Sequence, residues 1–411
     1  MHIFNERMTI YHKKRIVYII IVLLLIFLHS PYYPTVALSS VRRGPIPGID
    51  SSTPYCFFYG KWNDCIISEV IKKFKLVILH PGISEVYITP AQVALLRENG
   101  VIVIGYIPFG EDYVKRAGDG TGPVYYDQNC VLIYEHKDFA SWLVDEVTTN
   151  GDPSHDGIPD KNPNFGSYYV NAGDPKWQDF LKTATIEHDG FAGTEYILNY
   201  LGCDGLFIDV IETASPWLPY SYSWRGMFDL LDTISNLYPD KYMVVNRPLF
   251  ACSLESYSMK ACDKDSNSCT YPQFCFCDFT SQYEARDAFR QNINAFVWES
   301  YSLDKAYDDF SSIKAHIRAC SDNSDDSGFN VLVLDYYNLI HHLYPCMDYH
   351  PKEIIEELGW LDYIAPGPLY QIGNWVYNFS NNLSYPLIDG YFGEFSPWNV
   401  SYIRSDPSKD I

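Results

Sequence analysis

Gly202-Cys-Asp-Gly-Leu-Phe-Ile-Asp-Val210 contains an apolar run that opens on a glycine and stops on an acid. A strand with one wet face alternates apolar and polar residues, whereas a strand covered on both faces reads as a continuous apolar run. The run at 205–210 is of the second kind. Seven others resemble it, at 57–59, 76–80, 101–107, 243–246, 295–299, 331–336 and 363–365. Amphipathic helical stretches separate them, among them 90–99, 223–237, 306–320 and 351–358. Eight such units predict an α/β chain, a (β/α)8 TIM-type barrel over residues 40–370. The 411 residues suit one barrel with insertions, placed at 112–200 after the third strand and 251–280 after the fifth. Both follow strand C-terminal ends, the face on which such barrels build their sites. Residues 371–411, with N-x-S sequons at Asn378, Asn382 and Asn399, are expected to form an extension packing on the barrel.

Lys and Arg number 30 against 51 Asp and Glu, and the resulting net charge of -21 repels phosphate backbones, which argues against a nucleic-acid partner. At the N-terminus, Lys13-Lys14-Arg15 precedes the apolar stretch 16–28 and a small-residue region at 37–40. Basic, then apolar, then small is the order of a secretory signal peptide, here residues 1–39. As a helix the stretch rises only about 20 Å, short of a ~30 Å hydrocarbon core, so no permanent membrane span is expected. The expected location is secreted or on the extracellular surface.

Export makes the 11 cysteines candidates for disulfides. Cys252, Cys262, Cys269, Cys275 and Cys277 crowd one polar segment. A metal knuckle is a sharper alternative, but the spacing lacks paired C-x2-C units, so a disulfide-stapled loop is favoured. Cys56 and Cys65 are candidates for closing a second small loop. The tail of the 151–160 segment, Asp156-Gly-Ile-Pro-Asp160, is open to two readings, a calcium turn or an ordinary Asp/Gly/Pro turn.

Acids fall where apolar strands end: Glu111 after the third, Asp209 on the fourth, Glu299 on the sixth and Asp335 on the seventh. An unpaired carboxylate buried beside an apolar run costs several kcal/mol, so the reading is that these acids face a polar cleft at one end of the barrel. Two carboxylates with aromatic walls are what glycoside hydrolysis requires: one protonates the leaving oxygen and the other stays ionised. Tyr106, Trp298, Tyr301, Tyr336 and Tyr337 lie beside these acids and are candidates to stack on sugars. G-x-S-x-G, P-loop, G-x-G-x-x-G and H-E-x-x-H patterns are missing. His341-His342 is read as structural, and no metal or cofactor is assigned.

The series Ile104-Gly-Tyr-Ile-Pro-Phe-Gly-Glu111, Tyr169-Val-Asn-Ala-Gly-Asp-Pro-Lys-Trp-Gln178, Gly202-Cys-Asp-Gly-Leu-Phe-Ile-Asp-Val210, Val245-Asn-Arg247, Glu299-Ser-Tyr301 and Leu334-Asp-Tyr336 resembles the endo-α-1,4-polygalactosaminidase family, glycoside hydrolase family 114. The resemblance runs over residues 55–370 in the same order. It implies a (β/α)8 barrel that hydrolyses α-1,4-linked galactosamine polymers, with Asp209 and Glu299 as catalytic acids. Asp, with the shorter reach, is read as the nucleophile of a retaining mechanism and Glu as the acid/base. Glu111, Tyr106, Asn246, Tyr301, Asp335 and Tyr336 are the expected substrate-binding residues, and a polysaccharide, cationic if deacetylated, is the expected partner. Two alternatives use the same residues: a non-catalytic polysaccharide-binding barrel and a hydrolase of another α-glycan.

Overall fold

The computed structural model describes residues 43–365 apart from single positions and the segments 119–123, 127–131, 136–137, 146–156, 216–219, 221–222, 253–286, 305–309, 322–327 and 337–357. The signal segment, Cys262 to Cys277, the start of the 151–160 turn, the 351–358 helix, Tyr337, His341, His342 and residues 371–411 therefore lie outside the described residues.

All eight apolar runs are strands: Tyr55–Phe58, Leu76–Leu79, Ile102–Pro108, Gly205–Asp209, Tyr242–Asn246, Ala295–Glu299, Asn330–Tyr336 and Leu361–Ala365. They lie in one sheet in sequence order, and every neighbouring pair is parallel. The sheet curls until its last strand meets its first. The Tyr363 ring lies 5.6 Å from Tyr55 and 6.1 Å from Phe57, and the Tyr55 hydroxyl donates to the Val333 carbonyl at 2.6 Å. Parallel strands curled in this way, alternating with helices, make a (β/α) barrel.

Residues paired across a parallel ladder share a face, so one contact orients the whole sheet. Phe57 touches Phe207 at 5.4 Å although their strands are not neighbours, which puts both inside the barrel. Register then carries the inner face through Ile78, Ile104, Val244, Val297, Leu334 and Tyr363. The other face meets the helices, as where Trp298 packs against Phe310 at 5.5 Å.

The glycines of two quoted motifs answer to space. A Cβ on Gly205 would sit 2.3 Å from the Tyr242 carbonyl oxygen, and one on Gly110 would sit 2.1 Å from that of Val210. Side chains there would push the fourth strand off the fifth, or push the third-strand loop off the turn after Asp209. At the opposite end, Asp204 accepts from Arg97 Nε at 2.7 Å and from the Val103 amide at 3.0 Å, fixing where the fourth strand begins.

The helices start where their sequences allow. Asn63 caps Asp64–Lys73, and Thr89 with Gln92 forms a capping box for Pro90–Glu98, with Pro at the first position. Asp174 caps Pro175–Thr183, as its Asp-Pro sequence predicts. Trp224–Leu237 and Phe310–Ser321 cover the later strands. Between the third and fourth strands, Glu111–Asp112 pairs antiparallel with Tyr168–Tyr169, and Val124–Tyr126 with Leu132–Glu135. Buried Asp112 anchors this region through Arg116, at 2.6 Å, and the Trp142 indole.

A Cys56–Cys65 bridge does not form. The first strand buries Cys56 completely while the following helix turns Cys65 to solvent, and both are free thiols. Among the described residues, no helix is long and apolar enough to cross a membrane.

Candidate active site

At the C-terminal ends of the first six strands, inward side chains form one layer over the apolar interior. Tyr59, His80 and Tyr106 supply its aromatic half. The His80 ring stacks on Tyr106 at 4.7 Å, and Tyr59 meets Tyr106 at 5.3 Å. His80 Nδ1 accepts from the Gly82 amide at 3.0 Å, which leaves the proton on Nε2, 3.2 Å from the Tyr113 hydroxyl. Burial pushes the His80 pKa down to about 3, so the ring is neutral at any working pH. Tyr106 hydrogen-bonds in turn to Tyr113 and to Asp209.

Asp209, Asn246 and Glu299 supply the polar half. Asn246 Nδ2 donates to Asp209 Oδ1 at 2.8 Å and to Glu299 Oε2 at 2.7 Å, one hydrogen to each carboxylate. A shared donor caps their separation: the two oxygens lie at most about 5.5 Å apart. Carboxyl groups about 5–5.5 Å apart suit nucleophilic attack with retention, whereas inversion needs about 6.5–9.5 Å to admit a water. Asp209 and Glu299 are half-buried and open to a ligand, while Asn246 is only 3% exposed.

Loss of solvent and the Glu299 charge raise the Asp209 pKa to about 6, against the pull of its bonds to Asn246, the Val210 amide and Tyr106. Asp209 therefore holds its proton to higher pH than a free carboxylate does, and it ionises fully only above about 6.

Each of the three strand-end residues is followed by a left-handed residue that is not glycine: Val210 at φ 60°, Arg247 at φ 44° and Ser300 at φ 63°. Such conformations cost of order 1–3 kcal/mol each and persist only where their surroundings enforce them. Val210, β-branched, is the most strained. The Thr213 hydroxyl on the Val210 carbonyl and the Arg247 amide on the Val297 carbonyl help hold these turns.

The other expected residues have different fates. Glu111 is buried, and both its oxygens are occupied, by Asn162 Nδ2 at 2.6 Å and Ser167 Oγ at 2.5 Å, so it ties down the 112–200 segment. Tyr301 does not face the cleft: it is fully buried among Trp298, Phe310 and Trp360. Trp298 shares that cluster, its indole donating to Asp304 at 2.7 Å. Asp335 is fully buried on the wrong side of its strand. Trp298 pairs with Val333, so Asp335, two residues on, shares the helix-facing side, opposite Glu299 and Val297. Tyr336 closes the strand, paired with Ala365. Sequence reasoning passed over Tyr59, His80, Tyr113 and Glu212. Glu212 lies one short turn beyond Asp209, in Ile211–Ala214. Among the described residues no cluster of His, Cys, Asp and Glu has the form of a metal site.

No protein-family model matches the chain, and no curated protein does. Among solved structures it is similar to the glycoside hydrolase domain of PelA from Pseudomonas aeruginosa, with a TM-score of 0.43 at 14% identity, covering 77% of this chain and 96% of that one. Bacillus licheniformis trehalose-6-phosphate hydrolase gives a TM-score of 0.42 at 11% identity, covering 76% and 64%. Aspergillus fumigatus Ega3, solved with galactosamine, gives 0.30 at 13%, covering 69% and 92%. With these scores below 0.5, the chemistry of this chain rests on its own residues.

Proposed function

We propose that this barrel is a retaining glycoside hydrolase of an α-linked amino-sugar polymer, endo-α-1,4-polygalactosaminidase-like, in which Asp209 is the nucleophile and Glu299 the acid/base. The observation that carries the reading is the Asn246 bridge, which holds two half-buried carboxylates within about 5.5 Å at the barrel mouth. Glu299 protonates the glycosidic oxygen as Asp209 attacks the anomeric carbon, then takes a proton from the water that releases the glycosyl-enzyme. Asn246 holds both carboxylates in register, and Tyr59 and Tyr106 offer ring faces and hydroxyls to the sugar. The amino-sugar assignment draws on the strand-end motifs quoted above and on the acidity of the chain, which attracts a cationic polymer. The basic–apolar–small order of residues 1–39 supports export to the cell exterior.

Reducing-end release from a panel of α-glycans tests the reading. Hydrolysis of deacetylated α-1,4-galactosamine polymer is expected, with losses of at least ~10²-fold in Asp209→Asn and Glu299→Gln and partial rescue by azide only where the nucleophile is missing. Near wild-type rates in both variants would remove these residues from the chemistry.

A further inference from the structure

Two side-chain oxygens beside Asp209 have no partner among the described residues: Glu212 Oε2 and Asn246 Oδ1, both fully shielded from solvent. A buried acceptor left unpaired costs about 1–3 kcal/mol, and orphans of this kind in a native site call for an explanation. Asn246 cannot resolve its own by flipping, because its nitrogen already serves two carboxylates. Hydroxyl rotation cannot serve Glu212 from Thr213 either, since that hydroxyl is on the Val210 carbonyl. The surroundings of Glu212 are rich in acceptors: Asp209 and Glu111 act on it as negative charges and Tyr169 lies within its field. Arg247 is the cation that acts on it, and that guanidinium is also paired with Asp304 at 3.4 Å. What the place lacks is a compact group with several donors and a positive charge.

We propose that Glu212, with the Asn246 carbonyl oxygen, binds the protonated amine of an amino-sugar unit beside Asp209 and so determines the preference for a deacetylated polymer. The proposal rests on the hydrolase reading above and adds the residue that selects the substrate. An ammonium brings three N–H donors and a charge, which suits two orphan acceptors next to a carboxylate. An N-acetyl group brings one donor, no charge and a methyl that has no place among carboxylates.

The proton balance follows. Loss of solvent and the Asp209 charge raise Glu212 to about 8, so near neutrality it holds a proton. An ammonium favours the carboxylate, and the Glu212 proton leaves to buffer as the cation enters.

Two readouts on the full chain decide the matter. The first is kcat/KM on a matched pair of α-1,4-galactosamine polymers, one deacetylated and one fully N-acetylated. Glu212→Gln is expected to lower the deacetylated-to-acetylated ratio at least about tenfold, mainly through KM, and Glu212→Asp to restore part of it. An equal loss on both polymers would overturn the proposal while leaving the hydrolase reading intact. The second is calorimetric titration with galactosamine at pH 7 in two buffers of different ionisation enthalpy, with N-acetylgalactosamine as control. Close to one proton released by wild type, and none by Glu212→Gln or with the control, is expected; no release from wild type overturns the proposal. If wild type hydrolyses neither polymer the hydrolase reading fails, and the proton count alone decides whether Glu212 binds the amine.

Discussion

Replacing Asp209 by Asn should make the folded protein more stable at alkaline pH, because the site holds this carboxylate at an energetic disadvantage. Its folded pKa, about 6, lies above the ordinary value of 3.8, so the unfolded chain gives up this proton more readily than the folded one. Below 3.8 both states are protonated and the penalty is absent; above about 6 both are ionised and the penalty is complete. Roughly two pKa units correspond to about 3 kcal/mol, of which about 2 kcal/mol develops between pH 4.5 and pH 8. Asn stays neutral throughout and keeps an oxygen for the Asn246 donor. Urea unfolding followed by tryptophan fluorescence at the two pH values measures the difference, since titrating groups that do not feel the Asp209 charge cancel between variant and wild type, and Glu212, which that charge pushes up, changes in the same direction. The variant should gain about 2 kcal/mol on wild type between pH 4.5 and pH 8. A stability difference that does not change with pH would refute the idea that the site strains Asp209, and a relative loss at pH 8 would reverse its sign.

Three further outcomes follow from the same geometry. Activity should rise as pH passes about 6, where Asp209 becomes the ionised nucleophile, and Tyr106→Phe should move that rise to higher pH by removing a bond that favours ionised Asp209; a pH–rate profile of both proteins checks this. Asp335→Asn should lower stability in urea by about 1–3 kcal/mol and change kcat/KM by no more than a few-fold, because Asp335 faces the helices. Thiol labelling without reductant should find Cys65 in the native protein, and Cys56, Cys203 and Cys320 in addition after unfolding.

The barrel was legible in the sequence because strands covered on both faces announce themselves as continuous apolar runs. That same property hid which way each strand end points. In Phe296-Val-Trp-Glu299 and Val331-Leu-Val-Leu-Asp335 no polar alternation marks the inner face, so two acids that end strands in the same manner fall on opposite sides of the sheet. The pattern named Asp209 and Glu299, which the fold brings to one Asn246, and named Asp335 as well, which the register puts on the other side of the sheet. Tyr301 was misread for a related reason: two residues past Glu299, after a left-handed Ser300, the chain has turned back into the helix layer. Glu111 could not be separated from the site acids because its partners, Asn162 and Ser167, are more than fifty residues away. His80 and Tyr59 carry no local signal, being polar ends of otherwise apolar runs. Glu212 did carry one, an acid three residues after a site acid on the same turn.

The central claim is that Asp209 and Glu299 stand too close to admit a water between acid and anomeric carbon, and its most direct test is the stereochemistry of the product. Proton NMR of the first reducing ends released from α-1,4-galactosamine polymer, read before mutarotation, should show the α-anomer. A β-anomer as the first product would mean inversion across a wider gap and would contradict the account.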